Sequence, residues 1–275
     1  MSVHAVGPIK RYWQTRAGMT ELPAEEVTHR DVWQRWLEIE TIRQFVRATD
    51  RALDVGCGNG FTTNRIAQSV REIVGVDYSE EMIRRAVTEN DRNGAERHSK
   101  VTFKVRDVLE LDPADLGLFD AVISERCLIN LGSWADQKRA IAKIASVLKP
   151  GGRFIFLEGS KQGRQQLNAF RSRAGLAAMP RVWHNIDFDE PATLAYLRRS
   201  FSLDQRVHFG LYDFVSRVAH PLIIAPDRPQ YDSRINEVAA KLALGANEFG
   251  SISRVVGLVL RKKARSHLSR KGGRG

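Results

Sequence analysis

A glycine-rich turn directly after a short apolar stretch is the feature of this sequence that most clearly points to chemistry. Residues Arg51–Val55 are expected to form a buried strand, and Gly56, Gly58 and Gly60 follow it at alternate positions. Glycine is needed where the backbone takes a positive φ or where a ligand lies against the backbone. Asp54 adds a carboxylate at the end of the strand. The pattern predicts a binding site for a nucleotide-like molecule.

The spacing of the glycines separates two kinds of nucleotide site. Dinucleotide sites follow the pattern G-x-G-x-x-G, in which the third glycine comes one position later than Gly60. Phe61 occupies that position, and its ring is too large for the close contact between helix and strand that a glycine allows there. The sequence therefore disfavours a nicotinamide-dependent oxidoreductase.

The Asp-x-Gly-x-Gly-x-Gly arrangement resembles motif I of the class I S-adenosylmethionine-dependent methyltransferases. Four further strands follow at spacings typical of that family, and a Lys-Pro-Gly-Gly turn at 149–152 precedes the last of them. These strands are expected at Glu72–Asp77, Val101–Asp107, Phe119–Ile123 and Arg153–Leu157. The resemblance spans residues 51–160. It implies S-adenosyl-L-methionine as the cofactor and a Rossmann-like α/β fold, with a seven-stranded, mostly parallel sheet, helices on both faces and an antiparallel edge strand.

Acidic residues at the ends of the strands are the main candidates for holding the donor. Asp77, followed by Tyr78, ends the second strand, where α/β nucleotide-binding folds place the acid that binds the ribose hydroxyls. The resemblance implies that Asp107 accepts the adenine amino group, with Val108 near the ring, and that Asp54 lies near the methionine end. Position alone also fits a loop acid at Asp107 and a turn-stabilising acid at Asp54.

Residues 1–50 are expected to form an N-terminal helical cap. Thr28-His-Arg-Asp31 resembles a capping box that opens a helix to about Val46. The apolar residues of this helix repeat at helical spacing and are Val32, Trp36, Ile39, Ile42 and Val46. Related families often fold the upstream segment over the donor, so Tyr12 and Arg30 are expected to contact it.

The methyltransferase domain is expected to cover residues 51–262. Strands six and seven are predicted at 204–210 and 253–260, as an antiparallel pair at the edge of the sheet. Two excursions, 159–189 and the insert 211–252, are expected to form the acceptor site, because open α/β sheets bind ligands beyond the carboxyl ends of their strands.

Two residues are candidates for catalysis. A hydroxyl acceptor must lose its proton to a base, and His184 has a suitable ordinary pKa; a purely structural histidine is the alternative. Glu125 is expected either to orient the donor or acceptor or to pair with Arg126 or Arg30. No set of metal ligands is predicted.

The run after strand four also bears on the acceptor. Residues 124–131, Ser-Glu-Arg-x-x-Ile-Asn-Leu, lack the Pro-Pro pattern of enzymes that methylate adenine N6 or glutamine. The run is similar to that of bacterial small-molecule methyltransferases, including those that modify sugars and secondary metabolites. The resemblance therefore implies a small polar acceptor, methylated at a hydroxyl.

Composition fits one α/β core in a reduced, cytoplasmic setting. The chain has 275 residues, of which 43% are hydrophobic and two are cysteines. It contains no apolar run of about 20 residues that could span a membrane. Seven Lys or Arg residues in 261–275 supply most of the formal charge of +11. We expect 263–275 to be a disordered basic tail, either merely solvated or in weak contact with nucleic acid or acidic lipid. Only this tail supports the alternative of an RNA or protein methyltransferase.

Overall fold

Seven strands form a single mixed sheet in the order β3-β2-β1-β4-β5-β7-β6. The computed structural model describes residues 7–19, 27–28, 30–92 and 100–264. The strands are β1 (Arg51–Val55), β2 (Glu72–Asp77), β3 (Val101–Val105), β4 (Phe119–Glu125), β5 (Leu148–Gly159), β6 (Phe201–His208) and β7 (Val255–Lys262). β7 is antiparallel to both of its neighbours, β5 and β6, and the pairs from β3 to β5 are parallel. The predicted Rossmann-like sheet and its antiparallel edge pair are confirmed.

Helices cover both faces of this sheet. They are α1 (Pro8–Ala17), α2 (Val32–Phe45), α3 (Phe61–Ile66), α4 (Glu80–Arg92), α5 (Pro113–Leu116), α6 (Trp134–Val147), α7 (Lys161–Arg173), α8 (Glu190–Leu197), α9 (Gly210–Phe214), α10 (His220–Ile224) and α11 (Arg234–Ala243). Short 3₁₀ turns at 67–69, 108–110, 128–130 and 250–252 and one π-turn at 215–219 complete the elements.

The core consists of two apolar layers separated by the sheet. Successive strand residues point to opposite faces, so Leu53 packs in the layer with α6, whereas Ala52 packs in the layer with α2 and α11. The helix α2 is therefore part of the core, whereas α1 lies over the carboxyl ends of the strands.

The start of α2 corrects the predicted capping box. The helix begins at Val32, and Asp31 is the N-cap: its Oδ1 accepts from the backbone N–H of Gln34 at 3.1 Å. Thr28 lies outside the helix, and its hydroxyl accepts a hydrogen bond from Arg35. A Thr28 cap would need an acid or amide three residues later as its partner, and Asp31 serves its own helix start instead.

Strand limits in the C-terminal half also differ from the expected ones. β6 begins three residues before Asp204, because the buried ring of Phe201 packs against Phe154 at a centroid distance of 5.6 Å. β7 continues to Lys262, which pairs with Phe201. The basic-tail prediction reaches only Lys263 and Ala264 within the described residues and otherwise lies outside them.

The described residues contain neither a helix that could span a membrane nor a group of side chains that could hold a metal ion. None of the helices in 7–19, 30–92 and 100–264 is long and apolar enough to cross a membrane. Within the same ranges, no group of three or more His, Cys, Asp or Glu side chains could hold a metal ion.

Candidate active site

A cavity of about 560 Å³ opens at the carboxyl ends of the central strands and is covered by α1. This volume falls in the range of small-molecule and cofactor sites. Every predicted site residue except Gly60 lines the cavity: Tyr12, Arg30, Asp54, Gly56, Gly58, Asp77, Tyr78, Asp107, Val108, Glu125 and His184. The fold thus brings residues that are up to 172 positions apart, from Tyr12 to His184, to one place.

The glycine turn after β1 supplies backbone to the cavity wall. Gly56 and Gly58 have φ angles of +68° and +53°, a region that side chains rarely adopt. A Cβ on Gly58 would project toward Thr28, 3.0 Å from its Cγ2. Because Gly58 lines the cavity, such a Cβ would take up space that a bound ligand needs. The turn is therefore shaped for close approach of a ligand to the backbone.

Gly60 has a packing role in place of the predicted donor contact. Its φ is +74°, and an added Cβ would lie 2.7 Å from the ring of Phe103 and 2.9 Å from Ala86 Cβ. The residue therefore allows α3 to begin against β3 and α4. Phe61, at the next position, is stacked by the guanidinium groups of Arg35 and Arg65.

Asp77 presents a buried carboxylate at the end of β2. Its Oδ2 accepts from the backbone N–H of Gly58 at 3.1 Å, and its Oδ1 accepts from that of Ser79 at 2.9 Å. Burial raises the pKa of Asp77 to about 6, although these two hydrogen bonds oppose the shift. The two bonds fix the carboxylate beside the glycine turn, with acceptor capacity left for ligand hydroxyls.

Asp107 and Tyr78 join the donor side of the cavity to α1. Asp107 forms an ion pair with Lys10 and also accepts from the backbone N–H of Leu109 at 2.9 Å. The hydroxyl of Tyr78 donates to the Lys10 carbonyl at 3.3 Å. Val108 is buried beside them. The helix α1 is therefore attached over the region where the family resemblance places the adenine.

Asp54 stabilises the glycine turn and also lines the cavity. Its Oδ2 accepts from the hydroxyl of Thr63 at 2.6 Å, which fastens the turn to α3. Burial raises the pKa of Asp54 to about 7. The same residue lines the cavity, so the turn-stabilising function and a ligand contact are compatible.

Arg126, one of the alternative partners expected for Glu125, forms its ion pair with a different residue. Arg126 binds Glu38 of α2 instead, with its Nη2 2.7 Å from Oε1 and its Nε 3.1 Å from both carboxylate oxygens. Burial and the nearby Glu38 raise the pKa of Glu125. Enzymes raise the pKa of a carboxyl group toward neutrality when it serves as a general acid or base, so Glu125 stays a candidate for catalysis beside His184.

Glu158, another acid at the end of a strand, has a structural role. It is fully buried, and its oxygens accept from the hydroxyl of Ser124 and from backbone N–H groups of Cys127, Leu128 and Ile129. Burial raises its pKa to about 7. Glu158 therefore stabilises the loop after β4.

His184 lies in the cavity wall within a cluster of aromatic rings. Its imidazole stacks on Tyr12 at 4.6 Å between ring centroids and meets the edges of Trp13 and Trp183 at 5.2 Å each. Burial and the charge of Arg16 lower the pKa of His184 below its ordinary value. Its Nδ1 is buried and has no hydrogen-bond partner within the described part of the chain. The lowered pKa favours the neutral form of the imidazole, and Nδ1 is a polar atom that a ligand could use.

The two excursions differ in their relation to the cavity. Segment 159–189 contributes Val182, His184 and Asn185 to the wall. The insert 211–252 contributes none of the described lining residues; it packs on the outer side of α2, where Tyr212 and Arg217 both bind Asp31. This insert therefore supports α2 and does not cover the acceptor side, contrary to expectation.

Some wall residues were not recognised as site residues from the sequence, among them Lys10, Arg35 and Asn130. One signal was available for α2. Polar residues at helical spacing, Arg35 and Glu38, are buried on this core helix, and buried charges need partners. For Asn130 the sequence carries no such signal.

Fold and site together define a Rossmann-like enzyme that binds an adenosine-containing cosubstrate. A family model described as a methyltransferase domain matches residues 47–191, more than half of the chain. The chain therefore belongs to the methyltransferases, and its cosubstrate is S-adenosylmethionine. The site fits this molecule, because the Gly58 backbone leaves room that a Cβ would fill and Asp77 has free acceptor capacity beside it.

Three individual proteins illustrate the relationship. The ubiquinone biosynthesis O-methyltransferase of Bordetella avium is 28% identical over 172 residues, which cover 61% of this chain and 68% of that protein. The 27-O-demethylrifamycin SV methyltransferase of Amycolatopsis mediterranei is 39% identical over 110 residues, 39% of this chain and 38% of that protein. The N-methyltransferase NodS of Bradyrhizobium japonicum, in complex with S-adenosyl-L-homocysteine, superposes with a TM-score of 0.56 at 15% identity, covering 94% of this chain and 100% of NodS.

These similarities cover different parts of the proteins and support different conclusions. The matched stretch spans 50% to 68% of the length of the first curated relatives. The match to NodS shows the fold alone. Methyl transfer is established by the family, whereas the choice of acceptor depends on the residues of this chain.

Proposed function

We propose that this enzyme transfers the methyl group of S-adenosylmethionine to a hydroxyl of a small, ring-bearing secondary metabolite. The observation that carries the proposal is the position of His184 in the cavity wall among aromatic rings, with its Nδ1 unbonded within the described part of the chain. The names of the relatives from Bordetella and Amycolatopsis are consistent with methylation of oxygen on small molecules.

The donor half would hold the cosubstrate by contacts that the geometry already prepares. When bound, S-adenosylmethionine supplies a methyl group made electrophilic by its sulfonium. Asp77 would accept from the ribose hydroxyls and Asp107 from the adenine amino group. The backbone at Gly58 would lie against the donor, and Asp54 would lie near its methionine end.

The acceptor half would use shape and one base. Tyr12, Trp13 and Ile129 offer apolar and aromatic surface against which a ring can pack. His184 would accept the proton of the hydroxyl as the new C–O bond forms. Burial, together with Arg16, disfavours the imidazolium, so the proton would pass on to solvent at the exposed edge of the cavity near Trp183.

The lowered pKa of His184 also narrows the acceptor class. It keeps the imidazole unprotonated at neutral pH but makes it a weaker base, and weaker bases act best on more acidic protons. Phenolic hydroxyls, with a pKa of about 10 in tyrosine, are far more acidic than the hydroxyl of water at 15.7. We therefore expect phenols and enols to be better acceptors than the alcohols of sugars.

A labelled-donor assay tests this proposal. The enzyme would be incubated with methyl-labelled S-adenosylmethionine and a panel of phenolic acids, hydroxyquinones, free sugars, aliphatic amines and transfer RNA. We expect label on the oxygen of a phenol or hydroxyquinone. Label found mainly on nitrogen or in RNA would contradict the proposal and would favour an amine or RNA methyltransferase.

A further inference from the structure

A continuous set of polar contacts connects the buried face of α2 with α1 on the far side of the cavity. It starts at Glu38, which is fully buried and lies behind the cavity wall. The carboxylate is held on one side by Gln34 Nε2 at 3.2 Å and on the other by the two-pronged contact from Arg126. Gln34 is in turn fixed by Arg254, whose Nη2 lies 2.6 Å from Gln34 Oε1. The carboxylate of Glu38 therefore has a single, defined position.

The second step is the backbone of Arg126. This residue has a φ of +53° and is one of two non-glycine residues with positive φ among those the structure describes. Such a conformation is strained for a residue with a side chain and persists only where surrounding contacts enforce it. The ion pair with Glu38 is one such contact, and the backbone N–H of Arg126 donates to Leu157 O at 2.8 Å. Glu38 thus helps to set the direction of the Arg126 carbonyl.

The third step passes through the amide of Asn130. Its Nδ2 donates to the Arg126 carbonyl at 2.7 Å, and its Oδ1 accepts from Trp13 Nε1 at 3.2 Å. Both ends of the amide are used, so its orientation is fixed by the Arg126 carbonyl. Trp13 belongs to α1, and its ring meets the edge of His184. Arg126, Asn130, Trp13 and His184 all line the cavity.

We propose that Glu38 is a positioning residue, which holds α1 closed over the acceptor through Arg126, Asn130 and Trp13. A buried ion pair adds little net stability compared with apolar packing, and geometric specificity is its better-supported use. Here the pair joins residues 88 positions apart and fixes the carbonyl on which the contact to α1 depends. The inference rests on the proposed function in one respect: His184, whose ring contacts that of Trp13, is taken as the base.

Limited proteolysis of α1 can measure this closure. Trypsin sites at Lys10, Arg11 and Arg16 lie in α1, and cleavage there would be followed by mass spectrometry with S-adenosylhomocysteine at saturation. We expect Glu38→Gln and Asn130→Ala each to raise the cleavage rate within α1 by about threefold to tenfold, because cleavage tracks the population of the open form. Glu40→Gln, on the same helix but paired at the surface with Arg43, is the matched control and should leave the rate unchanged.

The double variant decides whether Glu38 and Asn130 act through the same series of contacts. If Glu38 acts through Asn130, Glu38→Gln/Asn130→Ala should open α1 no more than the larger single change does. Multiplied effects would overturn the proposal. So would a Glu38→Gln protein that lowers the melting temperature yet leaves α1 as protected as in the wild type. Should Glu38→Gln fail to fold, Trp13→Phe paired with Asn130→Ala tests the last link in the same way.

These measurements are independent of the identity of the base. They record the opening of α1 in the presence of S-adenosylhomocysteine and need no methyl acceptor. If His184 proved not to be the base, turnover data would change while the coupling between Glu38 and Asn130 would stand. If the coupling were absent, the role of His184 would remain open to its own test.

Discussion

The two halves of the cavity are built in different ways. The donor half consists of one short stretch of chain, the glycine turn after β1, and of acids at the ends of neighbouring strands. The proposed acceptor half consists of side chains from three distant segments: α1, the loop after β4 and residues 182–185. The first half uses backbone atoms that a motif can specify, and the second uses side chains that only the folded chain brings together. A donor site can therefore be shared by a whole family, while the acceptor site is particular to each chain.

The largest expected effect concerns the backbone of the donor half. Gly58→Val should abolish binding of S-adenosylhomocysteine in calorimetry, because a branched side chain at φ +53° would fill the space between the turn and Thr28. Gly151→Val is the matched control: its φ is +75° and no atom lies within 4 Å of its Cβ position. It should show the same strain without a loss of affinity. Comparable losses in both variants would mean that strain alone explains the result.

Removal of the ribose acid should have a smaller effect. Asp77→Ala should weaken donor binding by about 1.5–3 kcal/mol, the scale of a hydrogen bond to a charged group. Asp120→Ala provides the comparison, since Asp120 lies at the opposite end of a strand and binds Lys149 and the Arg51 backbone. Calorimetry should show no change in affinity for this control. An unchanged affinity in folded Asp77→Ala would remove Asp77 from the donor site.

The raised pKa of Glu125 predicts a pH-dependent stability difference. A carboxyl group whose pKa is raised by folding contributes most stability below its unfolded value of about 4.3, and this contribution is lost as the pH rises through the folded value. The melting temperature of Glu125→Gln should therefore equal that of the wild type at about pH 5 and exceed it at about pH 9. Each kcal/mol of stability difference corresponds to a shift of about 2–4 °C. A difference that shrinks with rising pH would show that Glu125 is ionised and well paired.

The smallest effect is expected at the C-terminus. Removal of residues 264–275 should leave donor affinity and melting temperature unchanged, because β7 ends at Lys262 and the removed sequence has no apolar pattern that could join the core. Thermal melting and calorimetry of the shortened chain would check this. A large fall in melting temperature would show that the tail packs on the domain.

The sequence was most informative where one contiguous stretch determines the geometry. The turn at 54–60, Asp77 and Asp107 were predicted because a strand followed by glycines or an acid leaves little freedom in where those residues go. Gly60 shows the limit of that reasoning. Its type was explained by conformation, yet its neighbours Phe103 and Ala86, which give it a packing role, come from later elements.

Contacts between distant segments could not be predicted in the same way. An ion pair between Glu125 and its neighbour Arg126 was one of several alternatives that the sequence left open. The partner of Arg126 is Glu38, 88 residues away, because α2 packs against the sheet directly behind the loop after β4. Likewise, the prolines and length of the insert 211–252 suggested a lid, whereas buried contacts of Tyr212 and Arg217 to Asp31 hold it against α2.

The role of His184 as the base is the central claim and can be tested directly. With the best acceptor from the labelled-donor panel, His184→Ala should lower turnover by about 10²–10⁴-fold while donor affinity barely changes. The wild-type rate should fall only below the ordinary histidine pKa of about 6.5, since burial and Arg16 lower the pKa of His184. His208→Ala is the matched control, because burial also lowers the pKa of His208 but the residue lies outside the cavity wall. A His184→Ala enzyme that keeps most of its turnover and its acidic limb would contradict the account.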